Sequence, residues 1–413
     1  MQQTFVYFQP EYVNKFKCNG QACQALCCKN WYIDIDKETY KKFSKIKPKN
    51  KFEEIVQNIK WSEIYNSYLI QLNPPKNFCP FLTEDNLCKI QREYGADYLS
   101  NTCMTYPRVT FRIGNFYERT LTLSCPVAAD IILNCKEPMI FEQVEVSAKE
   151  YMETCRDMVR IVKVSPELSK YIIDIQYAVI STLQERRLTI DQRLIVTGYF
   201  FSQLEEIINN NKLEEIVLLA QIYTSEDFIR EQVPKLVKSI EFNVKEYIRI
   251  MFDIFAMLYG NNNDLKNAAQ NYLNYIVKFL DIKIDKYGTA SISELVQSYN
   301  KHSKAKENFL QEYGYIFENY LVQEFFTCLY PWSIEGTISL NYEVFMVTYK
   351  ILELLSLSMA VVQKDKIDNR ELIKLIRWFV QNLNHGKDYV ESISKGFKDK
   401  TDIIKMMHSF LQG

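Results

Sequence analysis

The segment Cys18-Asn-Gly-Gln-Ala-Cys23-Gln-Ala-Leu-Cys27-Cys28 places four thiols within eleven residues near the start of a 413-residue chain. Of the chain's eleven cysteines, all but three lie between residues 18 and 125. Such a density is unusual unless the thiols serve disulfides, metals or redox chemistry. The other four cysteines of this stretch are Cys79, Cys88, Cys103 and Cys125. The stretch is therefore expected to carry the function and to organise the N-terminal fold.

The compartment expected for these thiols is a reducing one. Residues 1–10 show no basic segment followed by an apolar one, so they predict no secretory signal. Disulfides seldom persist in reducing compartments. Metal ligation is favoured, and disulfides or inert buried cysteines are the weaker alternatives.

Two kinds of metal site fit a thiol-rich stretch, because thiolate is a soft ligand that suits both zinc and iron–sulfur clusters. The irregular spacing and the lack of a nearby histidine weigh against a regular zinc module, although structural zinc stays open. Adjacent side chains diverge, so Cys27 and Cys28 are not expected to bind one metal atom. Eight thiols could form two four-ligand sites, or one site with additional structural thiols. The candidate ligands are Cys18, Cys23, Cys27, Cys28, Cys79, Cys88, Cys103 and Cys125.

Turn chemistry predicts which of these thiols approach each other. The polar turn at Glu84-Asp85-Asn86 is expected to bring Cys79 close to Cys88. Gly114-Asn115 separates two runs of alternating apolar residues, which is the signal of a two-residue hairpin. Extending its register places Met104 opposite Cys125, and Cys103 is then expected beside Cys125.

The motif Tyr106-Pro107-Arg108 lies at the foot of this hairpin. A guanidinium beside thiolates could offset the charge of a metal cluster or hold a carboxylate. An ordinary structural ion pair is the alternative. Arg108 and Tyr106 are therefore candidate cofactor-binding residues, while no residue is assigned a catalytic role.

From about residue 145 the sequence changes character, and long segments carry apolar residues at helical spacing. The expected fold is mainly α: an N-terminal cysteine-rich α+β metal-binding region with short hairpins, followed by a large all-helical domain. The expected boundaries are 1–144 for the cysteine-rich domain and 145–413 for the helical domain. Thr189 and Gln192 have the spacing of a capping box, and Ser165-Pro166 is typical of a helix start. In the N-terminal region, Asp36 is expected to cap a helix that runs from Lys37 to Lys45.

Charge and motif content exclude several classes of protein. The net charge of −1, without a long basic run, argues against a nucleic-acid binder. No stretch is expected to be long and apolar enough to span a membrane. The chain contains no Gly-x-Gly, and therefore neither a dinucleotide fingerprint nor the glycine-rich loop of common methyltransferases. The pattern does not decide whether the protein self-associates.

The run Phe16-Lys-Cys18-Asn-Gly-Gln-Ala-Cys23-Gln-Ala-Leu-Cys27-Cys28-Lys-Asn-Trp31 closely resembles the opening of the bacterial flagellin lysine-N-methylases. Cys103-Met-Thr-Tyr-Pro-Arg108 is similar to a later block of that family. The cysteine pattern also resembles the wider class of zinc- or iron-chelating cysteine-cluster domains. Further similar blocks occupy residues 35–40, 79–82, 87–91, 99–102, 121–129, 192–194 and 319–322, with Phe325 and Pro331-Trp332.

The resemblance implies a cytoplasmic enzyme that methylates the ε-amino group of surface lysines on flagellin. It further implies S-adenosylmethionine as methyl donor and dependence on a [4Fe–4S] cluster. Without a glycine-rich loop, the donor pocket cannot be placed residue by residue. The alternative from another functional class is a non-enzymatic scaffold that binds a partner and contains a structural zinc–cysteine module.

Overall fold

The computed structural model describes residues 4–23, 26–29, 31, 33–75, 77–155, 158–260, 272–282, 291–364, 367–384, 393 and 403–412. The chain divides into two compact units. The first unit comprises Met1–Ile132 and Met139–Lys163, and the second comprises Leu133–Pro138 and Val164–Gly413.

The first unit combines eight short strands with seven short helices among its described residues. The strands are β1 Thr4–Pro10, β2 Asp34–Ile35, β3 Ile59–Ser62, β4 Ser67–Ile70, β5 Arg108–Ile113, β6 Phe116–Leu121, β7 Phe141–Ser147 and β8 Val159–Ile161. The helices are α1 Tyr12–Lys15, α2 Lys37–Phe43, α3 Lys49–Val56, α4 Lys89–Tyr94, α5 Asn101–Thr105, α6 Pro126–Leu133 and α7 Ala148–Thr154.

Five of these strands form one mixed sheet in the order β7-β1-β6-β5-β8. The predicted hairpin at Gly114-Asn115 is confirmed, because Ile113 pairs with Phe116 across the turn. Strand β1 pairs parallel with β6 and antiparallel with β7. The boundary expected between residues 144 and 145 falls inside β7 of this sheet, and the division into domains stays a prediction.

A second, three-stranded antiparallel sheet has the order β2-β4-β3. It shares a hydrophobic core with α2 and α3, in which Ile33 and Phe43 are fully buried. Helix α2 begins where the Asp36 side chain accepts a hydrogen bond from the Thr39 N–H at 2.8 Å, as the sequence predicted. Cys79 is part of this core, and three more cysteines pack against it. Four thiols of the first unit therefore lie in or against one hydrophobic core.

The second unit is built from helices. They are α8 Pro166–Ser169, α9 Ile172–Leu183, α10 Ile190–Asn209, α11 Glu215–Tyr223, α12 Glu226–Glu231, α13 Val233–Lys238, α14 Val244–Gly260, α15 Ile292–Lys301, α16 Ser303–Cys328, α17 Ile338–Gln363, α18 Asn369–Phe379 and α19 Ile403–Phe410. The capping box of Thr189 and Gln192 is confirmed at the start of α10. Ser165 caps α8 with Pro166 in its first turn, also as predicted. The expected large helical region and N-terminal strands are thus both present.

Helix α17 is the central core element of the second unit. By length and composition it is apolar enough to cross a membrane, contrary to the expectation that no stretch would be. However, 89% of its most apolar window is buried inside the protein. Burial of this kind is typical of the core helix of a packed domain, so the helix is weak support for a membrane span.

Candidate functional site

Cys27 and Cys28 lie in a single 3-10 turn, Leu26–Cys28, with their Sγ atoms 3.9 Å apart. The indole N–H of Trp31 donates to the Cys27 carbonyl oxygen at 3.0 Å. The Cys79 N–H donates to the Cys28 carbonyl oxygen at 2.8 Å. These bonds tie the N-terminal cysteine loop to the segment that carries Cys79.

The predicted turn between Cys79 and Cys88 is present. The Thr83 N–H donates to the Leu87 carbonyl oxygen at 2.9 Å, and Asn86 has a positive φ of 59°. Asn tolerates this left-handed conformation better than most residues because its short polar side chain bonds locally. Leu82 pairs with Cys88 across the turn. The turn therefore holds Cys79 and Cys88 in one small loop.

Cys103 lies in helix α5, so the strand pairing predicted by extending the hairpin does not reach Cys103. The Ser100 hydroxyl caps this helix by accepting from the Cys103 N–H at 3.2 Å. Strand pairing ends at Arg108 and Leu121. Pro107 has no N–H to donate to a ladder, and the residues before it are helical. The expected pairing of Met104 with Cys125 was therefore wrong.

Cys79 lies in the core beside the three-stranded sheet, Cys28, Cys88 and Cys103 pack against that core, and Cys27 Sγ is 3.9 Å from Cys28 Sγ. We call these five thiols the thiol cluster. A hydrogen bond from Cys28 lowers the pKa of Cys27 to about 7, and the same bond together with burial raises the pKa of Cys28. Burial, with a smaller contribution from charge on Cys88, raises the pKa of Cys79 and of Cys103 to about 12. Burial also raises the pKa of Cys88, with a smaller contribution from Cys27.

The remaining three candidate ligands lie beside the cluster. Burial raises the pKa of Cys125, with smaller contributions from the charges of Cys23 and Cys27. Cys18 is exposed, and its charge acts on Arg108. The grouping in space therefore crosses the two quartets that sequence order suggests, since Cys27 and Cys28 join thiols of the later set.

In the ranges that the structure describes, no three Cys, His, Asp or Glu side chains converge closely enough to hold a metal ion. The chemistry of the donor set nevertheless fits a soft metal or an iron–sulfur cluster. Thiols with raised pKa values are protonated near neutral pH, and a bound cationic centre would displace their protons. The assignment of ligands to a metal stays a prediction.

Two aromatic side chains and an arginine stand around the thiols. The rings of Trp31 and Tyr106 lie 5.8 Å apart, and the Tyr106 hydroxyl is 3.2 Å from the Ser124 hydroxyl. The guanidinium carbon of Arg108 lies 5.3 Å from the ring centre of Phe16. The sequence indicated Tyr106 and Arg108, while the contribution of Phe16 could not be seen because it depends on the fold of α1.

The second unit contains a buried charge cluster that the sequence interpretation missed. Lys350, at 1% side-chain exposure, lies 2.9 Å from the Asp191 carboxylate and 2.6 Å from that of Glu353. Lys306 lies 3.5 Å from each of these carboxylates. The signal was present as Lys350 inside the apolar run of α17, where a lysine needs a buried partner. Two cations and two anions balance each other, which is typical of a structural network.

Residues 176–411 match the family described as the FliB lysine N-methylase C-terminal domain. This match covers more than half of the chain. The chain belongs to the FliB lysine N-methylase family. The resemblance noted from the cysteine blocks is thereby confirmed by an independent part of the sequence, since the match lies wholly within the second unit.

Three named relatives are consistent with membership of this family. The flagellar biosynthetic protein FliU of Salmonella muenchen is 36% identical over 133 residues, which cover 32% of this chain and 79% of that protein. The lysine-N-methylases of Salmonella typhimurium (strain LT2) and Salmonella choleraesuis (strain SC-B67) are 34% identical over 137 and 142 residues. Those matches span 33% of this chain and only 34% of each lysine-N-methylase. No solved structure matches the chain.

Proposed function

We propose that the protein is a cytoplasmic methyltransferase that transfers methyl groups from S-adenosylmethionine to the ε-amino groups of surface lysines on flagellin. Membership of the lysine N-methylase family is the observation that carries the reaction class. The names of the relatives, a flagellar biosynthetic protein and two lysine-N-methylases, support flagellin as the substrate.

The proposal includes a [4Fe–4S] cluster on which activity depends. The thiol cluster supports it, because five cysteines that affect each other's pKa offer more soft ligands than one cluster needs. Cys79 and Cys103 would hold it from the packed core side, and Cys27 or Cys28 from the loop. Cys18, Cys23 and Cys125 remain possible ligands of the same or a second site.

Methyl transfer to lysine requires a neutral amine, because the ammonium form has no lone pair. A free lysine has a pKa of about 10.4, so the site must lower it by burial or by nearby positive charge. S-adenosylmethionine, when bound, supplies an electrophilic methyl group on a sulfonium sulfur. The lysine nitrogen bonds to that methyl carbon, the electron pair of the broken C–S bond stays on sulfur, and the product amine releases a proton. The rings of Trp31 and Tyr106 would contact the sulfonium cation of the donor through cation–π interactions.

The test is a methyl-transfer assay with labelled S-adenosylmethionine and flagellin, using the anaerobically purified full chain. We expect label on flagellin lysines with the wild type and about a hundredfold less or none with Cys103→Ser. Cys135→Ser is the matched control, because this thiol of the second unit is exposed and donates to the Glu137 carbonyl oxygen at 3.4 Å. Absence of transfer by the wild type would favour the scaffold with structural zinc.

A further inference from the structure

Arg108 and Arg119 lie on the same face of the five-stranded sheet. Arg108 begins β5, and Thr110 two residues later shares its face. Thr110 pairs directly with Arg119 of β6, so the two guanidinium groups project from one side. Burial and, to a smaller extent, the charge of Arg119 lower the pKa of Arg108, while the charges of Cys18 and Glu150 act to raise it.

The two arginines differ in their partners. Arg119 donates from Nε to Gln9 Oε1 at 2.9 Å and from Nη1 to Glu150 Oε1 at 3.4 Å. Its guanidinium carbon also lies 4.8 Å from the ring centre of Tyr7. These contacts position Arg119 firmly within the first unit.

Arg108, in contrast, contacts a ring but lacks an acceptor. Its guanidinium carbon lies 5.3 Å from the ring centre of the buried Phe16. Within the described ranges, no oxygen accepts a hydrogen bond from its five N–H groups, and no carboxylate lies within 4 Å. A guanidinium without a protein acceptor has donors available for an anion, and a carboxylate matches its planar pair of donors better than any other side-chain-sized anion.

We propose that Arg108 binds the α-carboxylate of the amino-acid part of the methyl donor, with Phe16 holding the guanidinium plane and Arg119 adding positive charge. This inference rests on the proposed function, in which S-adenosylmethionine is the donor. Arg108 was a candidate cofactor-binding residue from the sequence, and the inference assigns it one chemical group of the donor. The charge of exposed Cys18 acts on Arg108, so a carboxylate bound here would also lie near the N-terminal cysteine loop.

The experiment compares two donors that differ only in the carboxylate, S-adenosylmethionine and decarboxylated S-adenosylmethionine. Their binding to the anaerobically purified full chain is measured by titration calorimetry for the wild type and Arg108→Gln. We expect the substitution to weaken the binding of S-adenosylmethionine by about tenfold to a hundredfold, which is the effect of losing a charge-assisted bidentate pair. Decarboxylated S-adenosylmethionine should change by less than about threefold, because it lacks the group that Arg108 binds.

Arg160→Gln is the matched control. Arg160 also lies over a ring of the same sheet, 5.8 Å from the centre of Phe111, but it is exposed on the opposite face. The Arg160→Gln substitution should leave the affinity of the protein for both donors unchanged.

Three outcomes overturn the role of Arg108: equal weakening of both donors, no weakening of either, or loss of the visible metal absorbance in Arg108→Gln. The last would assign the residue to balancing thiolate charge. A wild-type protein that binds neither donor would instead reject the proposed function itself.

Discussion

The first unit places its thiols on 3-10 turns, loops and helices of at most eight residues, whereas the second unit places its buried charges on helices as long as 26 residues. In the thiol cluster, raised pKa values mark groups that lack a compensating cation. Around Lys350, each buried charge has an opposite charge within 4 Å. The buried charges around Lys350 are therefore balanced within the second unit. For the thiols of the first unit, we propose that a bound cationic centre supplies the balance.

The largest stability effect is expected from breaking the internal balance of the second unit. Lys350→Met leaves the carboxylates of Asp191 and Glu353 with only the more distant Lys306. Removing one partner of a buried ion network typically costs about 3–5 kcal/mol. We expect a loss of that size in the free energy of unfolding, measured by denaturant titration of the helical circular dichroism signal.

Lys304→Met is the control for this prediction, because Lys304 forms an exposed ion pair with Glu307. Its effect on stability should be too small to resolve. Equal effects of the two substitutions would show that the buried network is not what stabilises the second unit.

A smaller loss is expected from Gly198, where helix α10 meets α17 and α19. A Cβ atom at this position would lie 2.6 Å from Met407 Sδ and 3.0 Å from the ring of Tyr342. Overpacking of a core costs about 1–3 kcal/mol, so Gly198→Ala should destabilise by that amount. Gly314→Ala on α16 is the counterpart, because nothing lies within 4 Å of its added Cβ.

Gly314→Ala should be neutral or stabilising by up to about 1 kcal/mol, since alanine favours the helix. Thermal unfolding of the two variants side by side measures the difference. A stabilising Gly198→Ala would contradict the close packing of the three helices.

The smallest effect is expected at Asp36, which links two elements of the first unit. Burial acts to raise the pKa of Asp36, but N–H groups of Asn101 and Thr39 donate to its carboxylate and hold that pKa below its ordinary value. A lowered pKa in the folded state stabilises the fold above the unfolded pKa of about 3.9. That contribution is lost as the pH falls through the lower folded pKa.

Amide hydrogen exchange of residues 36–44 and 99–105 can follow this contribution between about pH 6 and pH 3, after correction for intrinsic exchange rates. In the wild type, we expect the exchange protection of both segments to decrease below about pH 4 as Asp36 is protonated. Asp36→Asn keeps an acceptor but cannot ionise, so its protection should not show this decrease. An unchanged pH profile in the variant would remove Asp36 as the titrating group.

Local structure could be predicted from the sequence where neighbouring residues decide it. The cap at Asp36, the capping box of Thr189 and the turn at Gly114-Asn115 all depend on residues within four positions of each other, and all three are present. The strand register predicted for the residues before Arg108 was wrong. Ser100 caps a helix there and Pro107 interrupts strand pairing, and these effects outweigh the alternation of apolar residues.

Long-range arrangement could not be predicted in the same way. The parallel pairing of β1 with β6 joins residues more than a hundred positions apart, and nothing in either strand specifies it. The grouping of Cys27 and Cys28 with Cys79 likewise depends on pairing between distant segments, through the Cys79–Cys28 backbone hydrogen bond and the bridge between Lys29 and Phe78. The family resemblance, in contrast, was visible from the cysteine blocks because they are short and contiguous.

The measurement that tests the central claim most directly is the iron and acid-labile sulfide content of the full chain after anaerobic purification, for the wild type, Cys79→Ser, Cys103→Ser and Cys135→Ser. We predict a brown wild-type protein with iron and sulfide in equal amounts, loss of both in Cys79→Ser and Cys103→Ser, and retention in Cys135→Ser. A colourless wild-type protein that contains only zinc would contradict the account.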